Sequence, residues 1–189
     1  MISLYERESQ LREWLTCYKG REDGSEPLVP DYINIVKALV ARYFYEHGDR
    51  MMSRSPFDVI TVVPSSTRLP PHPMESALLD LPLNVPVSTL LIRGTGDLGH
   101  NRPSRDAYVA VDAAPQRVLL VDDVETTGAR INSAAFALTE AGHTVAGAFV
   151  IARRVTPDWM NTRPFWDSQK GKGFAWEHGP LVNSQRPPT

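Results

Sequence analysis

Two adjacent carboxylates, Asp122 and Asp123, are followed by a short polar run, Glu125-Thr126-Thr127-Gly128, and then by Ala129 and Arg130. Paired acids repel an anion, but they suit the hydroxyls of a sugar or a Mg²⁺ ion. The threonine hydroxyls can donate hydrogen bonds, and Gly128 lets the backbone come close to a ligand. A helix beginning just after the glycine would add unpaired backbone N–H groups and the positive end of its dipole, which attract phosphate. The pattern therefore describes a ligand with a phosphate at one end and sugar hydroxyls beside it.

Such a site needs a strand before it and a helix after it. Val118-Leu119-Leu120-Val121 is an unbroken aliphatic run, as expected of a central strand buried on both faces of a parallel sheet, with the acids at its C-terminal edge. Ile131, Ala134, Ala135 and Leu138 then recur at the spacing of one helix face.

The stretch RVLLVDDVETTGAR, residues 117–130, resembles the phosphoribosyl-pyrophosphate (PRPP) signature of type I phosphoribosyltransferases. The resemblance implies that Asp122 and Asp123 hold the ribose hydroxyls and Mg²⁺. It also implies that the loop through Glu125, Thr126, Thr127, Gly128, Ala129 and Arg130 holds the 5′-phosphate. One position departs: the family ends this loop with Thr or Ser, and here Arg130 stands instead. Its five donors and permanent charge suit a phosphate, so the guanidinium is expected to fold back onto it rather than point outward. Receiver domains also carry a V-L-x-V-D-D run, but at their start, whereas these acids come late in the chain. A P-loop would need Gly-Lys-Ser/Thr after its glycines, which is missing. The plain alternative is a buried strand that ends in a solvated Asp pair.

Further along the same resemblance, Phe57–Val63 reads as a strand, and Pro64-Ser65-Ser66-Thr67-Arg68 looks like the family's pyrophosphate loop. Ser65, Ser66 and Thr67 offer donors, and Arg68 would neutralise diphosphate charge. Leu69-Pro70-Pro71-His72-Pro73 replaces the segment usual after this loop. Residues 93–105 hold three glycines and few apolar side chains, the composition of a mobile loop. The resemblance makes this the flexible loop that closes over PRPP, with Arg102 a catalytic clamp beside Asp122 and Asp123. The order helix, Tyr18-Lys19-Gly20, helix, strand is similar to the ComF-like branch of the family.

The rest of the chain supports one α/β domain over 1–189. Residues 1–52 are expected to form a small N-terminal helical cap, 57–155 a doubly wound parallel sheet, which the resemblance makes one of type I phosphoribosyltransferase type, and 156–189 an aromatic-rich tail. In the cap, helices are expected over 3–18, started by Ser3 and Glu6, and from Asp31 to His47, closed by Gly48. Val87–Ile92, Tyr108–Val111 and Thr144–Ala152 read as strands, and Met74–Leu79 as a short helix. Trp159, Phe165, Trp166, Phe174 and Trp176 are expected to staple the tail onto the sheet, and the last residues to fray.

A net charge of −2 excludes a global basic footprint for nucleic acid. The single cysteine, Cys17, excludes an internal disulfide and reads as packing in a reducing compartment. No apolar run approaches a membrane span, and the charged N-terminus does not resemble a signal peptide, so a cytoplasmic location is expected. The resemblance implies transfer of phosphoribosyl from PRPP to a nucleobase or amine with release of pyrophosphate. A non-catalytic PRPP or nucleotide sensor of the same fold is the alternative, and a homodimer is compatible with either.

Overall fold

A computed structural model of the chain describes residues 1–178 except 22, 66, 67, 69, 100, 160, 171 and 173. The elements run β1 (Ser3–Tyr5), α1 (Gln10–Cys17), α2 (Tyr32–Arg54), β2 (Val59–Val62), α3 (Pro73–Leu79), β3 (Leu91–Arg93), β4 (Tyr108–Ala110), β5 (Arg117–Glu125), α4 (Ala129–Glu140), β6 (Thr144–Arg154) and α5 (Arg163–Gln169). Four strands form a parallel sheet in the order β1-β6-β5-β2, with β5 flanked by β2 and β6. β3 and β4 form a separate antiparallel pair.

Strand alternation decides which side chains face which layer. Leu119 and Val121 of β5 join Ile60, Val62, Phe149 and Ile151 against Leu15 of α1, Val36, Val40 and Tyr43 of α2, and Leu78 of α3. Val118 and Leu120 point the other way, with Val59, onto Ala134, Ala137 and Leu138 of α4 and onto Leu91 and Tyr108 of the β3–β4 pair. The aliphatic run is buried because helices cover both faces of the parallel sheet. Among the described residues no helix is long and apolar enough to cross a membrane.

The structure departs from the sequence expectations at several places. Residues 1–52 do not stand beside the sheet as a cap: Ser3–Tyr5 pairs with Ala152–Arg154 as an edge strand, and α2 forms part of the core layer. A three-residue strand is too short to show a period. The true cap of α1 is Ser9, whose side chain accepts from Arg12 N–H at 3.2 Å. Asp31 precedes α2 but makes no side-chain cap. Gly48 does not end α2, which continues to Arg54. A helix-closing glycine needs the left-handed conformation, which Gly142 adopts (φ 87) and Gly48 does not. His47 is therefore an interior helix residue, its ring 4.7 Å from that of Tyr43. The expected strand over 87–92 divides in two. Val87 bridges to Ile60 beside β2, while Leu91–Arg93 leaves to pair with β4. Thr61 Oγ1 marks the parting by accepting Leu90 N–H at 3.1 Å.

In the tail, Trp176 packs on the core and stacks edge-on with Phe174 at 5.0 Å, whereas Phe165 and Phe174 are exposed. The expected fraying from Ser184 falls outside the described residues. Cys17 is buried, and burial pushes its thiol above the ordinary range, as packing rather than nucleophilic chemistry requires.

Candidate functional site

The acids are not beyond the strand but inside it. β5 runs on to Glu125, and Asp122 pairs in register with Val150 of β6. Both carboxylates are only 4% exposed, and a buried charge is costly unless it is partnered. Alternation sends them to opposite faces, and each meets a different cation. Asp123 Oδ2 accepts from Tyr18 Oη at 2.8 Å and is ion-paired with Lys19 Nζ, both from the end of α1. Asp122 Oδ2 lies 3.7 Å from Arg130 Nε, close enough for attraction but too long for a hydrogen bond.

This asymmetry separates their acidities. Burial alone would raise both. In Asp123, Lys19 outweighs it, with Arg130 and Tyr18 adding, and the carboxyl is lowered to about 2. In Asp122 burial prevails over the pull of Arg130, Asp123 adds to it, and the carboxyl is raised to about 6. Tyr18 is pushed well above its ordinary value by burial and by the Asp123 charge.

Arg130 leaves the first turn of α4 and reaches toward Asp122 and the loop after β2. Its Nη2 donates to Pro64 O at 3.1 Å, joining the loop after β2 to the loop after β5. Nε is buried and has no hydrogen-bond partner among the described residues. The side chain spans between Asp122 and Pro64 and lines the cleft of the turn as well.

Two adjoining clefts share Lys19, Asp122, Asp123 and Arg130. The wider, about 590 Å³, is lined by Val124–Ile131 together with Arg93, Asp97, Leu98 and Gly99. Glu125, Thr126, Thr127, Gly128 and Ala129 all lie on it. Gly128 is left-handed (φ 77) at the start of α4, and no side chain caps the helix. A helix start leaves its first amides without intrahelical acceptors, so backbone donors and two threonines face one space. Arg93 closes the far wall, donating to Gly96 O at 2.7 Å with its guanidinium over the Tyr108 ring.

The narrower cleft, about 390 Å³, is lined by residues from three separate segments: Tyr18–Arg21, Ser65, Arg68 and His72, and the acids with Arg130. Arg68 donates to Gly20 O at 2.9 Å, and its amide to Ser65 Oγ at 3.2 Å, which fixes the loop after β2 against the end of α1. His72 is buried, and burial holds its pKa down. Ser66 and Thr67 lie outside the described residues.

Sequence reading missed Lys19 and Arg21 as site residues, because the end of α1 is a hundred positions from the acids it meets. The Tyr18-Lys19-Gly20 triplet was the available signal. Arg102, expected as a clamp, is exposed, bridges to Gly99 and lines neither cleft. Gly94 and Gly96 donate to Ala107 O and Asp106 O at 2.9 and 2.8 Å, prolonging the β3–β4 ladder. A Cβ on Gly96 would meet the Asp106 carbonyl carbon at 2.7 Å, so these glycines serve close packing.

As ligands for Mg²⁺ the acids fit poorly. An octahedral ion needs oxygens converging at about 2.0–2.1 Å, and these carboxylates diverge across the strand, each beside a protein cation. Among the described residues no group of three or more His, Cys, Asp or Glu comes together to hold a metal. Compared with protein-family models and with curated proteins, the chain matches none.

Proposed function

We propose that this chain binds a phosphoribosyl group and has the type I phosphoribosyltransferase fold, with the activity of a cytoplasmic transferase acting on PRPP. The observation that carries the reading is the joining of the two clefts at the acidic pair. A cradle of backbone and hydroxyl donors lies on one side, a cluster of cations on the other, and carboxylates stand between them. PRPP has the matching order of groups: 5′-phosphate, ribose hydroxyls, diphosphate.

In this reading the 5′-phosphate lies at Thr126–Ala129 and the first amides of α4. The ribose hydroxyls donate to Asp122 and Asp123. The diphosphate lies toward Ser65, Arg68, Lys19 and Arg21. A nitrogen nucleophile, of a nucleobase or an amine, forms a bond to the sugar C1 as the bond to diphosphate breaks, and the electron pair leaves with the diphosphate. Positive charge grows on the ribose beside two carboxylates, and negative charge on the leaving group beside the cations. Catalysis is then positioning and electrostatic stabilisation.

A second reading, a PRPP or nucleotide sensor without turnover, is favoured by one observation: Arg102, the expected clamp, lines neither cleft. Pyrophosphate release from PRPP across a panel of bases and amines separates the two. Turnover with any acceptor supports the transferase, and binding without release supports the sensor. Thermal stabilisation by neither PRPP nor ribose 5-phosphate would reject both.

A further inference from the structure

The acidic pair already has its counter-charges. Asp123 Oδ1 accepts the amide of Val124 at 2.8 Å, and Oδ2 takes both Tyr18 and Lys19. Asp122 Oδ1 accepts the amide of Asp123 at 3.0 Å, and Oδ2 faces Arg130. A divalent ion placed between them would displace these donors and sit against an ammonium and a guanidinium. Four cationic side chains, Lys19, Arg21, Arg68 and Arg130, line the narrower cleft against three acids, Asp23, Asp122 and Asp123. Arginine forks match phosphate oxygens, and a lysine supplies a compact point charge. Arg21 is half-exposed and pairs with the exposed Asp23 at 3.2 Å.

Resting on the phosphoribosyl reading, we infer that this site neutralises the diphosphate of its ligand with its own cations, Lys19 foremost, and binds without a divalent metal. Lys19 is the pivot because its ammonium reaches the acid on one side and lines both clefts. When ribose hydroxyls take up Asp123, the ammonium is freed to meet the diphosphate, and charge moves from one partner to the other without leaving the cleft.

The test is titration calorimetry of the full chain with PRPP and, separately, ribose 5-phosphate, each in EDTA and in excess Mg²⁺. For the wild type the PRPP affinities in the two conditions agree within about threefold. Lys19→Met weakens PRPP binding on the order of tenfold or more in EDTA, and Mg²⁺ restores part of the loss, since a metal can enter once the ammonium is gone. Lys19→Arg, which keeps the charge, remains metal-independent. A gain of metal dependence is a readout that misfolding of Lys19→Met would not produce, and the wild-type comparison does not depend on any variant. Wild-type binding of PRPP that collapses in EDTA while ribose 5-phosphate still binds overturns the inference and leaves the phosphoribosyl reading standing. No binding of either ligand in either condition overturns both.

Discussion

The two clefts are built by opposite means. The wider one comes almost entirely from a single continuous stretch, Val124–Ile131, and presents backbone amides and short hydroxyls at a helix start. The narrower one is assembled from three distant segments and presents long cationic side chains. A cradle made of backbone is fixed by local conformation and tolerates side-chain change. A cluster of charges depends on each side chain and on the ionic strength around it. The difference teaches where this molecule is open to alteration: glycine geometry on one side, charge on the other.

The largest expected effect removes the support common to both. Leu120 is fully buried between β5 and α4, so Leu120→Ala should cost about 2–5 kcal/mol of stability. It should weaken both clefts together, as read by denaturant unfolding and by ribose 5-phosphate titration. Next, Gly128→Val tests the backbone cradle alone. Its φ of 77 lies where β-branched residues are strained by about 1–3 kcal/mol. Affinity for ribose 5-phosphate should therefore fall steeply, with the cationic cleft intact.

These two positions also mark what the sequence makes legible. The strand, the turn and α4 form one local run in which hydrophobic period, acids and Thr-Thr-Gly occur together, and the structure sets them in that order. The sheet order was only partly readable: β1 is three residues long and gains its pairing from β6, about 150 positions away. Lys19 could not be placed for the same reason, since nothing around it specifies that α1 ends over Asp123. The 93–105 loop shows a second role for glycine that composition does not reveal. Glycines suggest mobility by composition, yet Gly94 and Gly96 are small because the backbone of Asp106 and Ala107 packs onto them.

Arg68→Ala sharpens the contrast from the narrower side. A charge-assisted hydrogen bond contributes about 1.5–3 kcal/mol. PRPP binding should weaken about tenfold or more and lose part of its salt dependence, while ribose 5-phosphate binding stays near wild type. Equal loss for both ligands would mean that the clefts do not divide the ligand as proposed.

The smallest effect is in pH dependence, and its sign differs for the two acids. Asp123 is lowered to about 2 from a usual 3.8, so its contribution to stability is present above pH 4 and is lost as pH falls toward 2. Asp122 is raised to about 6 from 3.8, so the native state binds the extra proton. Its contribution is present below pH 4 and is lost as pH rises through 6. Stability from this pair should therefore peak near pH 4. Asp122→Asn should abolish the decline between pH 4 and 6 and leave the acid limb unchanged, as followed by thermal unfolding across that range.

The proposed function stands on a 5′-phosphate bound at the start of α4 with the ribose against the acids. Amide hydrogen exchange with and without ribose 5-phosphate tests it most directly. Added protection is expected in Thr126–Ile131 and at the end of β5, with little change in α2. Unchanged exchange across Thr126–Ile131 at saturating ligand, or protection confined to another part of the molecule, would contradict it.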